Sequence, residues 1–351
     1  MALKKATIAV DAMGGDFGPP VVVQSVISFL KRFPEISVLL FGDQSSLNEE
    51  FDRHDLSSVK NRLQVHYSDI TVCDGDSPSS VLKNKRDSSM GLAMQAVSEG
   101  RAQACLSAGN TGALMGFGLM FLKTLPGVSR PAVCTTFPTV TGKTYVLDLG
   151  ANIECTAQQL YQFAVLANAT AKIVEGIQAP SIKLLNVGEE GTKGGDVIKE
   201  AAGLLEDDNE ISYRGFIEGD GIFQGHADIV VCDGFTGNIA LKTSEGLAKM
   251  IGTLLDSAVS TNWATRLIFG TFKRSFAKLR SQLNPSLYNG AYLLGLNGVV
   301  IKSHGNASEG AFGHALDVAL QAAIHNLPQM LAPLLESQLL SSRNEGLTDD
   351  T

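Results

Sequence analysis

Nine short runs of β-branched and aliphatic residues recur along this chain, and nearly every one ends on glycine, aspartate or serine: TIAVDAM, SVLLFG, LQVHYSD, AQACLSAG, AVCTTFP, TYVLDLG, IKLLNVG, ADIVVCDG and GVVIKSHG. Stretches with helical periodicity lie between many of them, among them residues 21–33, 90–99 and 156–176. Strands that alternate with helices in this way specify an α/β fold with a largely parallel sheet flanked by helices, since a parallel neighbour is reached only through a crossover and both faces of such a sheet are covered. A chain of 351 residues buries a large core. We expect one two-lobed unit over residues 1–340 and a polar, acidic, disordered tail over 341–351.

In open α/β sheets ligands gather beyond the carboxyl ends of the strands, so the residues that end each run are the candidate substrate contacts. Read in order they are Asp11 with Gly14, Gly15 and Asp16; Ser107 with Asn110, Thr111 and Gly112; Asn152; Glu189; Asp233 with Asn238; and Lys302 with His304. Small and polar residues at these places can present backbone N–H groups or amide donors, and a helix that starts after a glycine-rich turn is a ready anion site.

Bulk properties remove other classes. The formal net charge of −8 gives nucleic-acid binding no global electrostatic support. Five cysteines, Cys73, Cys105, Cys134, Cys155 and Cys232, are odd in number, form no C-x-x-C and sit mostly in apolar runs, so all five read as reduced, buried thiols of a cytoplasmic protein. The start, MALKKATIAVDAMGG, reaches an acid and two glycines before any long apolar stretch, unlike a signal peptide. The run GALMGFGLMFLKTL is interrupted by Lys123 and falls short of the ~20 apolar residues a spanning helix needs.

Standard catalytic signals are missing or false. No G-x-G-x-x-G follows the first strand, no G-x-S-x-G or H-E-x-x-H occurs, and six scattered histidines show no ligand spacing, so no metal and no cofactor are expected. FPTVTGKT holds the Gly-Lys-Thr of a P-loop, but Phe137 occupies the place of the first glycine and the segment reads as a turn into TYVLDLG.

Taken together, IAVDAMGGDFGP, SAGNTGALMG, SRPA, LDLGAN, LLNVGEEGTKG, IVVCDGFTGNIALKTSEG and LLGLNGVVIKSHG resemble, in order, the signature blocks of the PlsX family of acyl-ACP:phosphate acyltransferases. The resemblance spans residues 8–305. It implies an isocitrate-dehydrogenase-like or phosphotransacetylase-like fold, a homodimer, and the conversion of acyl carrier protein thioesters and inorganic phosphate to acyl-phosphate early in phospholipid synthesis, upstream of a membrane acyltransferase. Two positions depart from the family pattern: Lys83 stands where arginine is usual, replacing a bidentate anion contact with a point charge, and Gly191 stands where an acid is frequent.

That reaction explains the missing nucleophile motifs. Phosphate is already an ionised nucleophile and a thiol is a good leaving group, so the protein must supply position, positive potential and exclusion of water. Lys193, Lys242, Asn238 and Asn110 are the expected phosphate and oxyanion donors, with the backbone around Gly14, Gly15, Gly109 and Gly112 as the wall that substrate approaches. Asp11, Asp16 and Asp233 repel phosphate, and their expected work is orienting donors or capping helices.

No acid occurs between Asp256 and Glu309, although the chain is net acidic. Within residues 262–283 an apolar stripe that includes Phe272 and Phe276 is edged by Lys273, Arg274 and Lys278, a basic amphipathic helix that would serve a dimer interface, dock an acidic acyl carrier protein or lie peripherally on anionic membrane. The alternative enzyme is an NAD- and metal-dependent decarboxylating dehydrogenase on the same fold class, and a third reading is a non-catalytic membrane scaffold.

Overall fold

The structure is a computed structural model that describes residues 5–260 and 288–345. Among these residues eleven strands form one sheet: β1 (Ala6–Asp11), β2 (Ile36–Gly42), β3 (Leu63–Tyr67), β4 (Ala104–Ser107), β5 (Ala132–Thr139), β6 (Gly142–Leu147), β7 (Ser181–Leu185), β8 (Ser212–Ile217), β9 (Ile229–Val231), β10 (Ala291–Leu294) and β11 (Val299–Lys302). Their order is β3-β2-β1-β4-β11-β10-β5-β6-β9-β7-β8.

The pairings fall into two parallel blocks. In the first, β3, β2, β1, β4 and β11 run together; in the second, β6, β9, β7 and β8 do. Three antiparallel pairings, β11 with β10, β10 with β5 and β5 with β6, join them. An odd number of reversals sends the second block opposite to the first. The strand-end residues therefore divide between two edges of the sheet, which local sequence pattern does not show.

The expected strands all form, and β8 and β10 are additions. Helix positions follow local chemistry. Pro19–Arg32 begins with proline in its first turn, where the missing N–H costs nothing, and ends on Lys31 and Arg32, which complement the carboxyl end of the helix dipole. Ala157–Glu175 opens with a capping box between Thr156 and Gln159 and stops at Gly176, whose φ of 72° glycine tolerates best. Behind the first block, helices Pro19–Arg32 and Glu309–Ile324 pack together, and Arg32 holds Asp317 through two hydrogen bonds of 2.7 and 3.0 Å. The opposite face of that block is covered by Ser89–Ser98 and Thr111–Phe121, which bury Met90, Met94, Leu114 and Phe117.

Two expectations change. Cys105, Cys134 and Cys232 are buried, but Cys73 is exposed and Cys155 half-buried, because both fall on loops rather than in strands. The carboxyl-terminal helix Leu327–Glu345 carries on through the first five residues of the segment read as a tail. No helix among the described residues is long and apolar enough to cross a membrane. The basic amphipathic segment 262–283, with Phe272, Lys273, Arg274, Phe276 and Lys278, lies outside the described residues.

Candidate active site

At the carboxyl edge of the first block, the turns after β1, β4 and β11 interlock. Asp11 ends β1 with its carboxylate buried. One oxygen accepts hydrogen bonds from Ser89 Oγ at 2.7 Å and the Met13 N–H at 3.1 Å, and the other from Ser107 Oγ at 2.7 Å. Burial raises the Asp11 pKa, while these bonds and one from the Gly14 N–H oppose the rise. Every partner is a donor, the set an ionised carboxylate needs. Asp11 and the equally buried Ser107 thus lie beneath the turns and hold them, rather than lining the substrate space as the strand-end rule expects.

Two glycines let these turns meet. A Cβ on Gly14 would stand 2.4 Å from the Gly109 nitrogen, and one on Gly15, at φ 88°, would stand 2.7 Å from the Gly305 carbonyl oxygen. The Asp16 N–H donates to that same carbonyl at 2.8 Å. Asn110 caps the helix Thr111–Phe121 by accepting from the Ala113 N–H at 2.9 Å, and its amide nitrogen donates to the Asp74 carbonyl at 2.9 Å. Thr111 is exposed at the start of that helix, while Gly112 leaves room for Pro78, 2.8 Å from where its Cβ would be. Asn110 is therefore held at both ends of its amide, and one of the two N–H groups of its amide nitrogen has no partner among the described residues and is left for the oxyanion.

Lys302 ends β11 and turns its ammonium inward, donating to the carbonyls of Ala108, at 3.1 Å, and Ser303. Burial and the neighbouring Lys242 depress its pKa to about 8, against the pull of Asp74, Asp11 and Asp16.

The second block repeats the device. Asp148, directly after β6, is fully buried and accepts from the N–H groups of Val133, Ala151 and Asn152 and from the Asn152 amide, at 2.6 to 3.1 Å. Asn152 also donates to the Pro131 carbonyl at 2.8 Å, so it too is a brace and not an exposed contact. Asp233 accepts from the Thr236 N–H and hydroxyl, both at 2.8 Å, capping the 27-residue helix Gly234–Ser260.

That helix joins the two edges. Asn238 is exposed in its first turns, 3.7 Å by its Oδ1 from where a Gly150 Cβ would be. Lys242 lies one turn on, on the same face, and Glu245, about 16 Å along the axis from Gly234, reaches the edge of the first block at His304. Glu245 Oε2 accepts from Lys242 Nζ at 3.0 Å, and its Oε1 stands 3.4 Å from His304 Nε2 without the alignment of a hydrogen bond. Burial first, then Lys242 and Lys302, lower the His304 pKa against the pull of Glu245. Beside this cluster opens a cavity of about 220 Å³ whose walls include Phe137, Phe223, Leu241, Ala248 and Ile251.

The structure thus brings Asp11, Gly14, Gly15, Asp16, Ser107, Asn110, Thr111, Gly112, Lys302 and His304 together, with Lys242 against them, and gathers Asn152, Asp233 and Asn238 at the second edge. Glu189 and Lys193 are exposed on the loop after β7, which leaves the sheet at this same second edge beside β9. There Glu189 Oε1 lies 3.6 Å from Lys183, the Lys193 N–H donates to Glu190, and Asn186 grips the Lys193 carbonyl at 3.2 Å. Among the described residues no hydrogen bond or ion pair joins Lys193 to the long helix. Sequence reasoning missed Ser89, Asp148, Glu245 and the cavity. Only Asp148 carried a usable signal, since LDLGAN repeats the strand-aspartate-glycine order of VDAMGG.

A family model described as "Fatty acid synthesis protein" matches residues 6–330. A phosphate acyltransferase of Legionella pneumophila (strain Paris) is 45% identical over 345 residues, 98% of this chain and 99% of that protein. Among solved structures, a phosphotransacetylase from Streptococcus pyogenes covers 91% of this chain and 94% of its own at a TM-score of 0.60 and 17% identity. EutD phosphotransacetylase from Staphylococcus aureus covers 93% and 95% at 0.58 and 17%. These two likenesses show the shared fold. The full-length relatives give the dehydrogenase alternative no support, and with the family match covering all eleven strands, the chain belongs to the phosphate acyltransferase family.

Proposed function

We propose that the protein moves the acyl group of an acyl carrier protein thioester onto inorganic phosphate, releasing acyl-phosphate and free acyl carrier protein. The observation that carries this reading is the meeting of an apolar cavity with a cationic, glycine-rich edge: Leu241 and Ile251 line the cavity, His304 and Glu245 stand at its border, and Lys242 and Lys302 lie beside them. An acyl chain needs the first environment and a phosphate the second. A phosphate oxygen attacks the thioester carbonyl, the C–O bond forms, the C–S bond breaks, and the electron pair leaves on sulfur, which takes a proton from solvent. Asn238 stands in the first turns of a long helix, near the positive end of its dipole, and Lys242, one turn further on, brings its own charge, so that negative charge on the tetrahedral oxygen is stabilised. Lys193, on its exposed loop, would close over the phosphate. Neutral His304 and the apolar walls limit water, which would otherwise hydrolyse the product.

The direct test is to incubate the protein with acyl carrier protein thioester and follow thiol release with and without inorganic phosphate. Release that does not depend on phosphate would sink the proposal.

Lys302 adds a pH dependence with a definite sign. Its pKa is lowered from 10.5 to about 8, so the ammonium is charged below about pH 8 and lost above it. The KM for phosphate is expected to rise as pH passes upward through 8, and Lys302→Arg, which stays charged, is expected to flatten that limb. An unchanged limb in the arginine variant would assign it to another group. For stability the sign is opposite: between about 8 and 10.5 the unfolded chain binds more protons at this lysine, so its contribution to folding improves as pH rises.

A homodimer, a cytoplasmic location and supply of product to a membrane acyltransferase rest on the family resemblance. For segment 262–283, contact with acyl carrier protein or anionic lipid rests on charge and periodicity in the sequence, and salt-sensitive co-sedimentation with anionic vesicles tests the lipid arm.

A further inference from the structure

The apolar cavity has chemically different sides. His304, which follows β11, and Glu245 stand at one of them. β5 lies two strands from β11, roughly 10 Å across the sheet. On the β5 side Phe137, 3% exposed, and Phe223 stack with ring centroids 5.8 Å apart and planes 26° from parallel. Phe223 is half-buried on the short helix Gly221–Gln224 and packs against the cluster that holds Val146, Ile217 and Val230. Its carbonyl accepts from the Val140 N–H at 3.0 Å, which ties the backbone of that helix to the turn between β5 and β6.

We propose that the stacked Phe137–Phe223 pair closes the acyl cavity and sets the longest chain that the enzyme accepts. The inference rests on the acyl-transfer reading above. A chain whose thioester carbonyl is held near Lys242 and His304 enters between β5 and the long helix, passes Leu241 and Ala248, and ends against the two rings. Methylenes that fit are driven out of water, whereas one carbon too many must displace a stacked aromatic pair backed by the sheet. In a hydrophobic enzyme pocket a single methylene changes kcat/KM by about tenfold or more, enough to make the end wall a length limit. Phe137 is part of the core of a central strand, and its loss would open the fold itself. Phe223 is half-buried on a short helix outside the sheet and is the residue to vary.

The test measures phosphate-dependent kcat/KM on octanoyl, dodecanoyl, hexadecanoyl and octadecanoyl acyl carrier protein for the wild type, Phe223→Ala and Phe223→Trp. The alanine variant is expected to raise the ratio of long-chain to short-chain activity by about tenfold or more, and the tryptophan variant to lower it by a similar factor. Ratios within about twofold of wild type in both variants, with turnover retained, overturn the length limit alone. Lack of phosphate-dependent release from the wild type at every chain length overturns the acyl-transfer reading and this inference with it. If circular dichroism shows that Phe223→Ala does not fold, Phe223→Leu and Phe223→Trp carry the same comparison.

Discussion

Alanine at Asn238 is expected to lower phosphate-dependent acyl transfer by about 100- to 1000-fold, the loss that follows removal of one preorganised oxyanion donor. Its amide is exposed beside Gly150 in the first turns of the helix Gly234–Ser260. No core contact is lost with it, so circular dichroism and thermal melting should stay nearly unchanged. Asn238→Asp, equal in size but unable to donate, should fall as far, because the carboxylate also repels phosphate. Lys193→Ala is expected to show the same separation of activity from stability, with more of its effect in the KM for phosphate, since it is an exposed cation on a loop rather than a group fixed at the carbonyl. Wild-type turnover in either alanine variant would remove that residue from the mechanism. Lys242→Ala is a less clean experiment, because it also strips Glu245 of its 3.0 Å partner.

Asp11→Ala is expected to act in the opposite manner, through the fold. It would leave two hydroxyls and two backbone N–H groups at the junction of β1, β4 and the helix Ser89–Ser98 without their acceptor. Unsatisfied buried donors cost about 1–3 kcal/mol each, and serine hydroxyls can turn to other acceptors, so a loss of roughly 3–5 kcal/mol is reasonable. That is a large part of the ~5–15 kcal/mol that holds a typical protein folded. A fall in melting temperature of about 4–7 °C should accompany it, measured by calorimetry. Asp11→Asn keeps the volume and one acceptor and should cost less. Asp233→Ala, which removes only a helix cap, should cost about 1 kcal/mol. An Asp11→Ala protein that melts within about 2 °C of wild type would mean that Asp11 does not hold the turns together.

Much of the architecture is written locally. Each of the nine apolar runs became a strand because branched side chains suit a doubly covered sheet, and helix 157–175 begins and ends where Thr156, Gln159 and Gly176 place its caps. The caps formed by Asn110 and Asp233 are equally local, since each side chain reaches an N–H only three residues ahead. β8 escaped notice because Arg214 and Gly215 interrupt the apolar run of SYRGFI, Gly215 stands at φ 78°, and the pairing with β7 is irregular there. β10 escaped because four residues carry too little periodicity to stand out.

Strand-end position marked which residues gather, but burial decided what they do. Asp11, Ser107 and Asn152 became braces because the turns after the strands fold back over them, a matter of tertiary approach. Glu245 became part of the site because the helix is long enough to carry it from one edge of the sheet to the other. Residue pattern along the chain determined the strands, the helices, their caps and the glycine turns, since each depends on interactions within a few residues. The reversal between the two blocks, the meeting of Glu245 with His304, and the cavity closed by Phe137 and Phe223 were decided only in three dimensions. A strand's side-chain pattern reads the same in either direction, and contacts between residues far apart in sequence exist only once the sheet has set their separation.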